Sequence, residues 1–262
     1  MKTNVKSRVL ALVLSVLALI TMLPVGAINA GAASNAEITK KRNELVNYFH
    51  SMATVKWTAG QNFEVSAGKP QTYYKNQVYY GLPYATVKRG LTVNLENFKQ
   101  ELNRTGGKLY GATGQSDCST TLSAAYNKII GVRQVWDVSW FMNSSLGFSK
   151  VGDYSNLLPG DVLVRYGFTD STGTKQSNHV MMVVSVDKSA KKVTVTHQSA
   201  GFFKYDPNTD TTTSVKDMKN RNCSWGINQV WTFDSLKKNG FNGYVYKDLK
   251  IGSSSSTEKI LT

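Results

Sequence analysis

Apolar side chains recur at helical spacing from residue 36 to about residue 52. Ile38, Leu45, Val46, Phe49 and Met52 line one side, and Lys40, Lys41, Arg42 and Glu44 occupy the other faces. The pattern predicts an amphipathic helix packed on a core. A shorter helix is expected over residues 94–102, followed by a glycine-rich loop over residues 104–114. A third helix opens sharply at Cys118: Leu122, Tyr126, Ile129 and Ile130 mark one face, Asp117 precedes it as an N-cap, and Gly131 stops it. From residue 161 onward the texture changes to strands, expected over residues 161–166, 179–186, 193–198, 229–233 and 243–246. The run after His179, with Val180, Met181, Met182, Val183, Val184 and Val186, is apolar on both faces, as a central buried strand should be. Helices first and strands later indicate an α+β fold rather than alternating βαβ units.

Residues 57–84 carry Trp57, Phe63, Tyr73, Tyr74, Tyr79, Tyr80 and Tyr84 with no clear helix or strand period, and with turn-prone stretches at 67–70 and 81–83. Such aromatic density fits plain core and turn packing, or a groove for a sugar or peptide in which Tyr84 is a substrate-binding candidate.

The ends of the chain have a different character. Lys2, Lys6 and Arg8 precede an apolar run over residues 9–23, then come Pro24 and the small residues Ala27, Ala30, Ala32 and Ala33. This is the layout of a secretory signal peptide spanning residues 1–33. The run is shorter than the roughly 18 residues a membrane-spanning helix needs, and it contains no cysteine for a lipid anchor. The mature chain is therefore expected to be secreted, extracellular or associated with a cell wall, with no stable membrane anchor. Residues 251–262 are serine-rich and read as a flexible tail. Between these ends the chain reads as one domain. Residues 34–110 form its amino-terminal helical and aromatic-rich part, and residues 111–250 form its core.

Composition adds two limits. With 262 residues, 41% apolar and 18% charged, the chain has material for a core and is not a disordered segment. The formal net charge of +14 favours polyanionic surroundings. For an exported protein these are anionic wall polymers, acidic peptides or membrane surfaces rather than nucleic acid; a basic surface kept for solubility explains the charge equally well.

Chemistry concentrates on few residues. A cysteine in the first turn of a helix faces unpaired backbone N–H groups and the positive end of the dipole, which lower a thiol from its ordinary pKa of about 8.5. It needs a partner that takes and returns a proton near neutral pH, and histidine suits that task. The chain has three histidines. His50, beside Phe49 in the first helix, reads as a surface or satisfied side chain. His179 opens the apolar strand, and His197 ends the next one. The short polar connection over residues 187–192 predicts an antiparallel hairpin that makes His179 and His197 neighbours. The expected constellation is Cys118 as nucleophile, His179 as base and His197 as orienting group, with Gln198 as orienter if the register slips by one.

Competing readings differ in weight. In an exported chain Cys118 and Cys223 could instead be joined as a disulfide, which would silence the nucleophile. Zinc binding fails because two distant cysteines and three histidines show no paired ligand spacing. A serine hydrolase lacks its Gly-x-Ser-x-Gly elbow.

Taken in order, Asp117-Cys118-Ser119, Leu158-Pro159-Gly160-Asp161, His179-Val180 and a polar residue closing the next strand resemble the NlpC-type family of cell-wall cysteine peptidases. The related CHAP amidases share a similar pattern. The resemblance covers about residues 110–198 and rests on four short motifs in the right order. It implies a papain-like α+β core with a nucleophile helix packed on an antiparallel sheet. It also implies cleavage of amide bonds in peptidoglycan, as a peptidase or amidase, without metal or other cofactor. By the same resemblance, Cys118 is the nucleophile, His179 the base and His197 the third polar group. Asp117 and Ser119 help shape the substrate end of the site, and the Leu158–Asp161 motif is a turn into a strand. Thr120 departs from the glycine usual in the family, and Met181 and Met182 stand where smaller residues are common. The alternative is a non-catalytic module that binds wall glycan or peptide on the same fold.

Overall fold

The computed structural model describes residues 34–65, 70–86, 94–112, 114–134 and 136–251. The expected signal segment (1–33), most of the turn-prone stretch at 67–70, and all but the first residue of the expected tail lie outside the described residues.

The first helix, α1, runs Asn35–Thr54. Next come four short strands from the aromatic stretch: β1 (Lys56–Ala59), β2 (Phe63–Val65), β3 (Gln71–Tyr73) and β4 (Val78–Tyr80). Helix α2 (Leu95–Arg104) starts at its cap Asn94, whose side chain accepts from the Asn97 N–H, and β5 (Lys108–Leu109) follows. The next helix, α3, spans Cys118–Ile130 and ends at Gly131, whose φ of 82° is the left-handed stop that glycine accepts without strain. The remaining elements are β6 (Phe148–Val151), β7 (Val162–Arg165), β8 (His179–Asp187), β9 (Lys192–Asp206), β10 (Thr211–Ser214), β11 (Cys223–Thr232), α4 (Phe233–Lys238) and β12 (Asn242–Tyr246).

Apart from a separate β2–β3 hairpin, these strands form one ten-stranded sheet in the order β5-β1-β4-β11-β9-β8-β7-β12-β6, with β10 added to β9. Its pairing is antiparallel except where β1 meets β5 and where β4 meets β11. The architecture is α+β, as expected. Strands in the region 56–109 correct the simple order of helices then strands, and the expected 104–114 loop contains β5. The strands β9 and β11 are also longer than their patterns indicated.

Helix α3 packs on β8, β9 and α1. Between these layers lie Leu45, Phe49, Leu122, Tyr126, Val180 and Met182, all buried. The aromatic stretch is largely core: Trp57, Tyr73 and Tyr79 are buried and pack against one another with centroids 4.8–5.3 Å apart, Trp57 stacked on Tyr79 and Tyr73 edge-on to Tyr79.

One residue reverses its expected role. Arg42, placed on a polar face by its charge, is 3% exposed. Its Nη1 donates to Asp161 Oδ1 at 2.8 Å and to the Pro159 carbonyl at 2.7 Å, and its Nε donates to the Leu249 carbonyl at 2.9 Å. Asp161 Oδ2 accepts from the Leu158 N–H at 2.8 Å, and the Tyr126 hydroxyl donates to the Gly160 carbonyl at 2.5 Å. The Leu158–Asp161 motif is thus a turn locked from three sides. It feeds β7 into the sheet so that Arg165 stands opposite His179 on β8. Among the described residues no helix is long and apolar enough to cross a membrane.

Candidate active site

Cys118 occupies the first turn of α3, where a capping box fixes the backbone. Asp117 Oδ1 accepts from the N–H groups of Ser119 (3.1 Å) and Thr120 (2.9 Å), and Thr120 Oγ1 accepts from the Asp117 N–H at 2.8 Å. The departure from glycine at position 120 therefore has a local reason, since only a side-chain oxygen closes the box. Gln115 Nε2 donates to Asp117 Oδ2 at 2.6 Å, and the Ser119 hydroxyl lies 2.9 Å from Asp117 Oδ1 and 3.0 Å from the Trp136 carbonyl. Asp117 and Ser119 spend these polar atoms on holding the helix start, so they shape the site from beneath rather than present groups to a ligand.

Tyr84 reaches the same place by a different route. Ala85 and Ser116 exchange two backbone hydrogen bonds of 2.7 Å, which lays the 82–85 segment beside the entry to α3. Gln198, on β9, braces this junction. Its Nε2 donates to the Leu82 carbonyl at 2.8 Å and lies 2.9 Å from Ser116 Oγ. Gln198 is fully buried there, so it does not orient His179. His197 is the side chain that meets His179: the two rings are edge to face, with His179 Nε2 2.9 Å from His197 Nδ1. The far nitrogen of His197, Nε2, lies 3.1 Å from Gln229 Oε1. Gln229 was not among the residues expected from sequence. His50, as expected, is satisfied elsewhere, 3.3 Å from Asp210.

The charge states follow from burial. Desolvation and, after it, the Asp117 carboxylate push the Cys118 thiol up to about 12, although the N–H groups of Val180, Ser119 and Cys118 itself favour the thiolate. The lowering expected at a helix start is thus outweighed, and the resting sulfur is protonated. Desolvation acts in the opposite direction on the imidazoles because there it penalises the cation. Burial, then His197 and Arg165, holds His179 well below 6.5, and burial also lowers His197. The resting pair is therefore neutral thiol and neutral imidazole. Both cysteines are free, and Cys223 is buried on β11 with its thiol directed to the Trp225 carbonyl, 3.6 Å away.

The neutral thiol makes one result directly measurable. Alkylation of Cys118 by iodoacetamide, followed by peptide mapping, should accelerate steadily from about pH 7 to about pH 10, because only the thiolate reacts. Cys223, being 1% exposed, should label far more slowly at every pH. A fast, pH-independent rate at Cys118 would mean that the thiolate exists at rest.

Among the described residues no group of three or more His, Cys, Asp or Glu side chains is placed to hold a metal ion. Comparisons of the chain with known protein families, with curated proteins and with solved structures find no match.

Proposed function

We propose that this chain is a cysteine hydrolase that cleaves amide bonds in peptidoglycan, as a stem-peptide endopeptidase or an amidase, on a papain-like core. The observation that carries the reading is the His179–His197 hydrogen bond of 2.9 Å on the strand pair against which the Cys118 turn packs. The Val180 N–H that faces the sulfur belongs to the residue next to His179.

In this reaction Cys118 Sγ attacks the carbonyl carbon while its proton passes to His179 Nδ1, the ring nitrogen that His197 does not engage. The carbonyl electron pair moves onto oxygen. The Cys118 N–H at the helix start and the Tyr84 hydroxyl are the nearby donors for that charge. Burial, followed by the Cys118 and Asp117 charges, raises Tyr84 above the ordinary 10, so its hydroxyl keeps its proton. Collapse breaks the C–N bond, the His179 imidazolium protonates the departing amine, and a thioester remains on Cys118. Water, deprotonated by His179, then releases the carboxylate and restores the thiol. The net charge of +14 supports a polyanionic setting such as the wall, and the amino-terminal pattern supports secretion.

The test uses purified protein and muropeptides under reducing conditions. New amine termini should appear, and alkylation mapped to Cys118 should stop their release while binding to sacculi persists. No release from the unmodified protein ends the enzyme reading, and sacculus binding alone would then favour the wall-binding module.

A further inference from the structure

The strand that carries Gln229 does not run evenly past its neighbour. On β9, His197 and Val195 are two residues apart. Their partners on β11, Gly226 and Gln229, are three apart, so β11 carries one extra residue in a bulge. Asn228 absorbs the kink with a φ of 51°, in the left-handed region. It is fastened there: its Nδ2 donates to the Asp210 carbonyl at 2.8 Å and its N–H to Thr196 Oγ1 at 3.2 Å. An extra residue resets which side chains face a given side of the sheet. Here it delivers Gln229 Oε1 to His197.

Gly226 completes the arrangement. A Cβ at that position would lie 2.4 Å from His197 Nε2 and 2.8 Å from Gln229 Cδ and Oε1. The position opposite His197 is therefore occupied by the one residue that leaves room for this hydrogen bond.

The bond has a chemical consequence through tautomers. An amide carbonyl can only accept, so His197 carries its proton on Nε2 and, being neutral, presents a lone pair at Nδ1. That lone pair accepts from His179 Nε2–H across 2.9 Å, which leaves His179 Nδ1 without a proton. Turning the Gln229 amide over would reverse every donor in the chain and leave His179 Nδ1 protonated, unable to take a proton from a thiol.

We propose that Gln229, set by the β11 bulge and admitted by Gly226, is a positioning residue that fixes the tautomers of both imidazoles and keeps His179 Nδ1 ready to accept the Cys118 proton. The proposal rests on the hydrolase reading for its catalytic meaning, and it adds a fourth member to the Cys118, His179 and His197 set.

Two measurements test it. Nitrogen-15 NMR of the histidine rings should find both His179 and His197 protonated on Nε2 in the wild type, and a mixture of tautomers in Gln229→Leu. Gln229→Leu should also lose about 10- to 100-fold in kcat, the usual cost of removing an orienting partner. Gln229→Glu accepts as the amide does, so it should keep the wild-type tautomers. Its negative charge favours imidazolium against the opposing influence of Arg165 and His179, so the acid limb of its pH–rate profile should move to higher pH. A residue that only filled space would leave the ring tautomers of Gln229→Leu as they are in the wild type. His197 protonated on Nδ1 in the wild type, or tautomers and kcat unchanged in Gln229→Leu, overturns the proposal. The NMR result decides the tautomer assignment even if the chain cleaves no amide, and in that case the hydrolase reading alone falls.

Discussion

His179→Ala is expected to lower kcat/KM for amide cleavage by about 10²- to 10⁴-fold, the range that a positioned general base contributes. The loss should approach that of Cys118→Ala, because the thiol rests protonated, with its pKa pushed up to about 12, and ionises for attack only if a neighbour takes the proton. His197→Ala should cost less, since it removes the group that aims the base and not the base itself. Gly226→Ala should resemble His197→Ala, because the added methyl displaces the same ring. Steady-state assays with a defined muropeptide check the ranking. Near-wild-type turnover in His179→Ala would remove the assigned base, and unchanged turnover in His197→Ala would remove its orienting role.

The second large effect concerns stability. Arg42→Met should destabilise the fold by about 3–5 kcal/mol, because it strands the Asp161 carboxylate in a buried position. For a chain of this size that is a fall in Tm of roughly 6–20 °C. The guanidinium also satisfies the Pro159 and Leu249 carbonyls, so the damage reaches three segments far apart in sequence. The double variant Arg42→Met with Asp161→Leu should recover part of the loss, since a packed apolar pair avoids the lone charge. Denaturant titration of the three proteins measures this, and an Arg42→Met midpoint equal to wild type would refute the clamp.

Legibility in the sequence followed the range of each signal. Asp117, Cys118 and Gly131 announce α3 because caps and stops are local chemistry, and the structure bears out both of its ends. The hairpin that joins His179 to His197 was legible because a short polar connection between two strands leaves one simple pairing. Arg42 departs from the polar face its charge implies because residues 38, 42, 45, 49 and 52 form one buried helical stripe. The partner that makes its burial tolerable, Asp161, lies 119 positions away and leaves no local trace. Gln229 was invisible for a related reason. The sequence marks a strand only over residues 229–233, whereas β11 begins at Cys223 and a left-handed Asn228 shifts its register by one just before Gln229. The short strands β1 to β5 escaped notice because two to four residues are too few to establish a period.

The protonated sulfur also bears on how the molecule endures in air. Peroxide and small disulfides attack thiolates and largely spare thiols, so oxidation follows the ionised fraction. A Cys118 held neutral by its surroundings should resist sulfenic acid formation and glutathionylation between turnovers. Such a chain can keep its reactive atom under aerobic conditions without a protective bridge to Cys223.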